Sequence, residues 1–364
     1  MHIDLLDLKR EYDSIKEEID SAILNVISSG RFILGDEVKK FELKLSDYLN
    51  VKYAIGVGNG TDALSLALLT MNIKPGDEII TTPFTFIATA EVISLCGAVP
   101  VFVDIDIETG NINTSLIEEK ITSKTKGIIA VHIFGQPCDI DEIKDIANKY
   151  NIFLIEDTAQ AIGAKYRSKF VGTWGDIGTL SFFPTKNLGA YGDAGAIITN
   201  DDEIAEKIRR LRIHGSDRKY HHVIIGFNSR LDAIQAAILN VKIGYLDKWT
   251  DRRREIAKKY SENIYSVKIP LIKDNRDHVF HQYTLRSKKR DEFMKYLNEN
   301  DISTAVHYPI PLHLQKAFKY LKLDKGSLPD AEKLASEVIS IPVHPFLTEN
   351  EILYIIDMIN EWKE

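Results

Sequence analysis

The sequence predicts an α/β fold, a mostly parallel sheet between layers of helices, with a smaller α+β unit toward the C-terminus. Three observations carry this. Short apolar runs alternate with helix-period stretches through the first two thirds of the chain. The runs are apolar at consecutive positions, as strands buried on both faces require. Beyond Pro270 the alternation gives way to isolated strand and helix patterns. In chain order, helix patterns cover 14–28, 36–49, 61–71, 139–150 and 202–211, and strand runs cover 78–84, 99–104, 127–134, 152–157, 179–183 and 196–199. A long helical tract then runs from about 231 to 264 and bridges two lobes. Strands at 282–286 and 304–307 and helices at 289–299, 328–338 and 348–362 follow. The division is expected at 245/246, giving a large domain over 1–245 and a small one over 246–364.

Composition narrows the function. The 364 residues are 44% hydrophobic and 27% charged, enough apolar material for a sizeable core. With 46 basic and 53 acidic residues the net charge is -7, the wrong sign for a protein built to grip a phosphate backbone. Nucleic acid is therefore not expected as a partner. The start, MHIDLLDLKR, lacks the basic-then-apolar pattern of a signal peptide. The most apolar stretch, GIIAVHIFG, is about half of the roughly 20 residues needed to span a bilayer. Cys96 and Cys138 lie far apart without a C-x-x-C pattern, so neither a metal nor a disulfide is expected. A cytoplasmic, reduced protein without a membrane segment is the reading.

Three segments carry candidate chemistry. GVGNGTD at 56–62 precedes an apolar helix; a dinucleotide fingerprint needs glycine at 61, where threonine stands. The segment fits an anion cup at a helix N-terminus, and it fits a capped turn equally well. IFLIEDTAQ at 152–160 ends a buried strand in two acids, at the sheet edge where open α/β folds bind ligands. In SFFPTKNLGAYGDAGA at 181–196, Lys186 follows a strand and a proline among glycines. A lysine there can lose solvation and form a Schiff base, or be a plain loop lysine. Together the three give the parts that pyridoxal phosphate requires: a phosphate cup at Gly60 and Thr61, an acid at Asp157 for the ring nitrogen, and Lys186 for the aldehyde.

At this point the chain resembles the DegT/StrS nucleotide-sugar aminotransferases, which are fold type I pyridoxal phosphate enzymes. The carrying stretches are GVGNGTDAL, GDEIITTPFTFIATA, FVDID, HIFGQPCDIDEI, IEDTAQAIGA, SFFPTKNLGAYGDAGAIITND, GFNSRLDAIQAAIL and HYPIPLHLQ, in order from 56 to 315. The resemblance implies a seven-stranded sheet in the large domain. It also implies that Lys186 holds the cofactor and moves protons, and that Asp157 pairs with the ring nitrogen. Phe86 would stack on the ring, with Gln160 near its phenolic oxygen. Gly60, Thr61 and Ser181 would bind the phosphate, joined by Asn228 from the neighbouring subunit of a homodimer with shared active sites. Phe183, Tyr191, Arg230, His307 and Tyr308 would lie near the sugar.

The reaction so implied moves an amino group, from L-glutamate, to C3 of a dTDP- or UDP-linked keto-hexose. Its place is amino-sugar biosynthesis for surface glycans such as O-antigen, other polysaccharides or S-layer glycan. Amination at C4 of a 4-keto-6-deoxy sugar is the nearest alternative. A dehydratase of the same fold would carry histidine in place of Lys186. A non-catalytic regulator would have lost Lys186, Asp157 or Thr61, and all three are present.

Overall fold

The computed structural model describes residues 2–363. Its centre is a seven-stranded sheet. The strands are β1 (Tyr53–Val57), β2 (Glu78–Thr81), β3 (Val99–Phe102), β4 (Thr125–Val131), β5 (Phe153–Asp157), β6 (Ile177–Ser181) and β7 (Gly195–Thr199), in the spatial order β1-β7-β6-β5-β4-β2-β3. Neighbours from β6 to β3 run parallel, and β7 runs antiparallel to both β6 and β1. Since β7 reverses direction twice over, β1 points the same way as β2–β6. The carboxyl ends of six strands therefore share one edge.

Alternation along each strand explains why the runs are apolar at every position. Ile129, Ile155 and Ile197 pack with Leu64, Leu68, Val92 and Ile208, from the helices Gly60–Thr70, Ala88–Leu95 and Asp202–Leu211. Their chain neighbours face the other way. Leu180, Ala196 and Ile198 meet Phe41, Leu45 and Leu239 of Asp36–Leu49 and Ala233–Lys242; Ile128 and Leu154 meet Ile140 and Ile143 of Ile140–Tyr150. Each such buried aliphatic stabilises the fold by about 1.5–3 kcal/mol relative to exposure.

Toward the C-terminus, the antiparallel strands Tyr283–Arg286 and Val338–Ile341 pack with the helices Leu246–Asn263, Arg290–Glu299 and Glu349–Glu361 around a second core that includes Tyr260, Phe293 and Ile355. Ile3 inserts into this core, so the first residues of the chain join the last.

Several elements differ from the sequence expectation, among them the helix Ala88–Leu95, which no predicted pattern covers. Strand β1 is not among the six apolar runs, because Ala54 and Gly56 dilute its pattern and the glycine turn follows at once. The pattern at 14–28 divides at Ile15 into Leu8–Ser14 and Lys16–Ser29. The tract 231–264 is broken by the single turn Ile243–Tyr245, centred on Gly244. Finally, 304–307 is not a strand: Ala305 makes one isolated bridge, to Ser340, before the chain turns at His307.

Candidate active site

A cavity of about 490 Å³ opens at the carboxyl edge of the sheet, within the range of small-molecule sites. Its walls bring together Gly60, Thr61, Phe86, Asp157, Gln160, Ser181, Phe183, Lys186, His307 and Tyr308, from segments spread over most of the chain.

At one end stands the start of the helix Gly60–Thr70. Asn59 caps it, its side chain accepting from the Asp62 N–H at 2.8 Å, so the capped turn foreseen in the sequence is present. The same geometry leaves the N–H groups of Gly60 and Thr61 with no carbonyl of their own helix to meet. Two glycines let this turn sit against the sheet. Gly195 pairs with both Val57 and Ser181, and a Cβ on it would lie 2.5 Å from the Asn59 carbonyl. A Cβ on Gly60 would stand 2.7 Å from that of Ser181. Backbone donors, the Thr61 hydroxyl and the Ser181 hydroxyl thus form one cradle that suits a phosphate.

In the middle, Asp157 ends β5. It is buried, yet its carboxylate lines the cavity. Thr89 Oγ1 donates to one oxygen at 2.8 Å and the Ala159 N–H to the other at 3.1 Å. Lys186 faces the same space from the loop after β6. Its remaining accessible surface opens onto the cavity, and burial pushes its amine down to about 8, a shift that the Asp157 carboxylate opposes. A lysine that titrates there is partly neutral near physiological pH and competent as a nucleophile and base.

Gln160 is fastened at both ends. Its Oε1 accepts from the Phe134 N–H at 2.7 Å and its Nε2 donates to the Tyr308 hydroxyl at 3.0 Å, leaving one amide hydrogen uncommitted. Phe86 is 54% exposed, and the exposed ring is the one that lines the cavity, 6.2 Å from the Tyr308 ring. His307 Nδ1 lies 3.0 Å from Ser340 Oγ; burial, then Lys186, pushes it down to about 4, so the imidazole is neutral.

Three residues of the sequence reading are not brought to this cavity. Tyr191 packs edge-on against Tyr12, with Lys242 over its ring, because its loop turns toward the N-terminal helices. Arg230 sits behind the Gly58 turn, beside Ser229, whose hydroxyl accepts from the Gly58 N–H at 3.0 Å. Asn228 is exposed on the same loop and does not line its own chain's cavity. Conversely, the cavity includes Thr85, Thr89, Asp193, His281 and Gln282, which sequence reading passed over. Thr89 lies in the quoted TTPFTFIATA stretch, but only the fold reveals that it supports Asp157.

The carboxyl-edge cavity, with its anion cradle, buried acid and lysine of depressed basicity, defines an α/β transferase of the pyridoxal phosphate type. More particularly, residues 13–360 match the DegT/DnrJ/EryC1/StrS aminotransferase family, and the chain belongs to it. Among relatives, it is 51% identical to a "pleiotropic regulatory protein" of Geobacillus stearothermophilus, over 100% of this chain and 99% of that one. It is 47% identical to the dTDP-3-amino-3,6-dideoxy-alpha-D-galactopyranose transaminase of Aneurinibacillus thermoaerophilus, over 99% of both chains. The crystal structure of S. venezuelae DesV in complex with a ketimine intermediate superposes with a TM-score of 0.97 at 39% identity, covering 99% of this chain and 98% of that one.

Proposed function

We propose that this protein is a pyridoxal phosphate-dependent aminotransferase that moves an amino group from L-glutamate to C3 of a dTDP- or UDP-linked keto-hexose. The observation that carries the reading is Lys186 and Asp157 facing one cavity, the lysine with lowered basicity and the acid buried at a strand end. The 3-amino-sugar transaminase relative supports the position of amination. The relative named as a regulator poses the opposite case, and the intact set of Lys186, Asp157 and Thr61 favours catalysis.

The cofactor supplies an aldehyde that exchanges amino groups and a ring that takes up the electron pair when a neighbouring C–H bond breaks. Gly60, Thr61 and Ser181 would hold its phosphate. Phe86, the exposed aromatic of the cavity wall, would pack against the cofactor and exclude water. Asp157 holds a proton on the ring nitrogen, with Thr89 and the Ala159 N–H keeping the carboxylate in place. Neutral Lys186 takes the proton from the donor's α-carbon and later delivers one to the sugar carbon that receives nitrogen. Gln160 offers its uncommitted amide hydrogen to the phenolic oxygen. Phe183, His307 and Tyr308 form the wall that the sugar meets.

The active protein is proposed to be a homodimer, with Asn228 reaching the partner's phosphate cradle. An exposed apolar surface supports this. Tyr220, Val223, Ile225 and Phe227 on the Asn228 loop are 82%, 54%, 93% and 45% exposed, and Ile33, bridged to Asp232, is 52% exposed. Exposed apolar side chains gathered on one loop suit an interface. The large and small domains are proposed to divide at the turn Ile243–Tyr245. Among the described residues no helix is long and apolar enough to cross a membrane, and the two free thiols suit a cytoplasmic setting.

The deciding experiment incubates the holoenzyme and L-glutamate with a panel of 3-keto and 4-keto nucleotide sugars. Amination of a 3-keto sugar is expected. Turnover of 4-keto sugars alone would overturn the C3 assignment, and no turnover with any of them would overturn the substrate class.

A further inference from the structure

Lys242 is fully buried, yet it does not line the catalytic cavity. It is the last residue of the helix Ala233–Lys242, just before the turn Ile243–Tyr245. Its ammonium donates to the carbonyl of Gly189 and pairs with the carboxylate of Glu11, itself buried on the first helix, Leu8–Ser14. The rings of Tyr191 and Trp249 flank it, with centroids at 4.9 and 6.0 Å. The ammonium therefore faces two oxygens at once, the Glu11 carboxylate and the Gly189 carbonyl, and its three donors can serve both.

Gly189 stands at the neck of the loop that carries Lys186. The Ala190 N–H donates to the Phe182 carbonyl at 2.8 Å and closes the neck. The Lys186 N–H donates to the Phe183 carbonyl, also at 2.8 Å, and tightens the turn inside it. The loop is compact enough that a Cβ on Gly189 would lie 2.3 Å from the Pro184 carbonyl. Stability does not call for a buried ion pair at such a place, since well-packed apolar residues commonly serve as well or better. A pair that terminates on the neck of the Lys186 loop has a different use.

We propose that Lys242, paired with Glu11, is a positioning residue for Lys186: it pins the Gly189 carbonyl and so fixes the loop, which makes the first helix part of the catalytic machinery. The proposal rests on Lys186 being the residue that holds the cofactor. That assignment fails separately, if borohydride reduction of the unaltered enzyme fixes the cofactor to another lysine.

The test compares Lys242→Met, Glu11→Gln and the double variant as holoenzymes, by thermal unfolding, visible circular dichroism of the bound cofactor, and kinetics. Lys242→Met should lower kcat about tenfold or more and alter the visible dichroism, with KM for the keto sugar within about twofold, because a small displacement of the reacting group costs rate rather than binding. The double variant removes both buried charges, so its unfolding temperature should return toward wild type while the kcat defect persists. Glu11→Gln should show an intermediate loss. A folded double variant with wild-type kcat and dichroism would overturn the proposal, and so would wild-type kcat in Glu11→Gln together with Lys242→Met. If Lys242→Met does not fold, the double variant and Glu11→Gln decide in the same way.

Discussion

Replacing Asp157 by asparagine separates its charge from its shape. The carboxylate accepts from the Ala159 N–H at 3.1 Å and from Thr89 Oγ1 at 2.8 Å, and Thr89 Oγ1 lies 3.2 Å from Thr85 Oγ1. Asparagine keeps the acceptor for Ala159. Its amide nitrogen, turned toward Thr89, requires only that the Thr89 hydroxyl rotate to donate to Thr85. The cost to stability should therefore stay near 1 kcal/mol or below, the net worth of one neutral hydrogen bond. Catalysis has no such escape. In the proposed reaction a charge-assisted bond from Asp157 to the ring nitrogen would be worth about 1.5–3 kcal/mol, and the neutral amide would also stop holding that nitrogen protonated. A fall in kcat of two orders of magnitude or more, about 2.7 kcal/mol, is expected. The sign of the effect on Lys186 follows as well. Burial lowers its amine to about 8 against the opposing pull of Asp157, so the neutral amide should move its titration lower still. Turnover at saturating cofactor, thermal unfolding, and the pH dependence of amine labelling in the apoenzyme read the three effects. Near-wild-type turnover would remove Asp157 from the chemistry. A stability loss of several kcal/mol would refute the exchange of hydrogen bonds through Thr89.

Borohydride reduction followed by peptide mapping should leave the cofactor on Lys186, and label on Lys165 or Lys169 would sink that assignment. Lys186→Ala and Asn228→Ala homodimers should each be impaired, whereas co-refolding the two should restore roughly a quarter of wild-type activity, since about half the dimers are mixed and each has one intact site. Absence of recovery would mean that Asn228 serves its own chain.

The sequence exposed the parts of the site whose chemistry is unusual where they stand. A lysine among glycines after a strand, and an acid ending a buried one, have few other uses in combination, and Lys186 and Asp157 do share the cavity. Supporting contacts were less legible. Thr89 reads as an ordinary helix residue until the fold sets its hydroxyl on Asp157, 68 positions away. Tyr191 follows Lys186 by five residues, but the loop closes at Ala190 and sends the ring to the opposite side, toward Tyr12. Strand β1 escaped because glycine and alanine carry little hydrophobic signal. Its place comes from pairing with β7, a tertiary event that no local window reports.

That pairing has a consequence for how the protein comes into being. Val57 and Ser181 both flank Gly195, so the cradle joins residues separated by well over a hundred positions. During synthesis the first half of the cradle is made early and must wait, unformed, until the strand ending at Thr199 has left the ribosome. Contacts so distant in sequence close slowly, and the partly made chain exposes the apolar strands in the interval. A phosphate bound at this cradle, as proposed, would then be captured only by chains that have already completed the sheet. Cofactor supply would act as ballast for finished molecules, deepening the native well by RT ln(1 + [L]/Kd) while offering nothing to nascent ones.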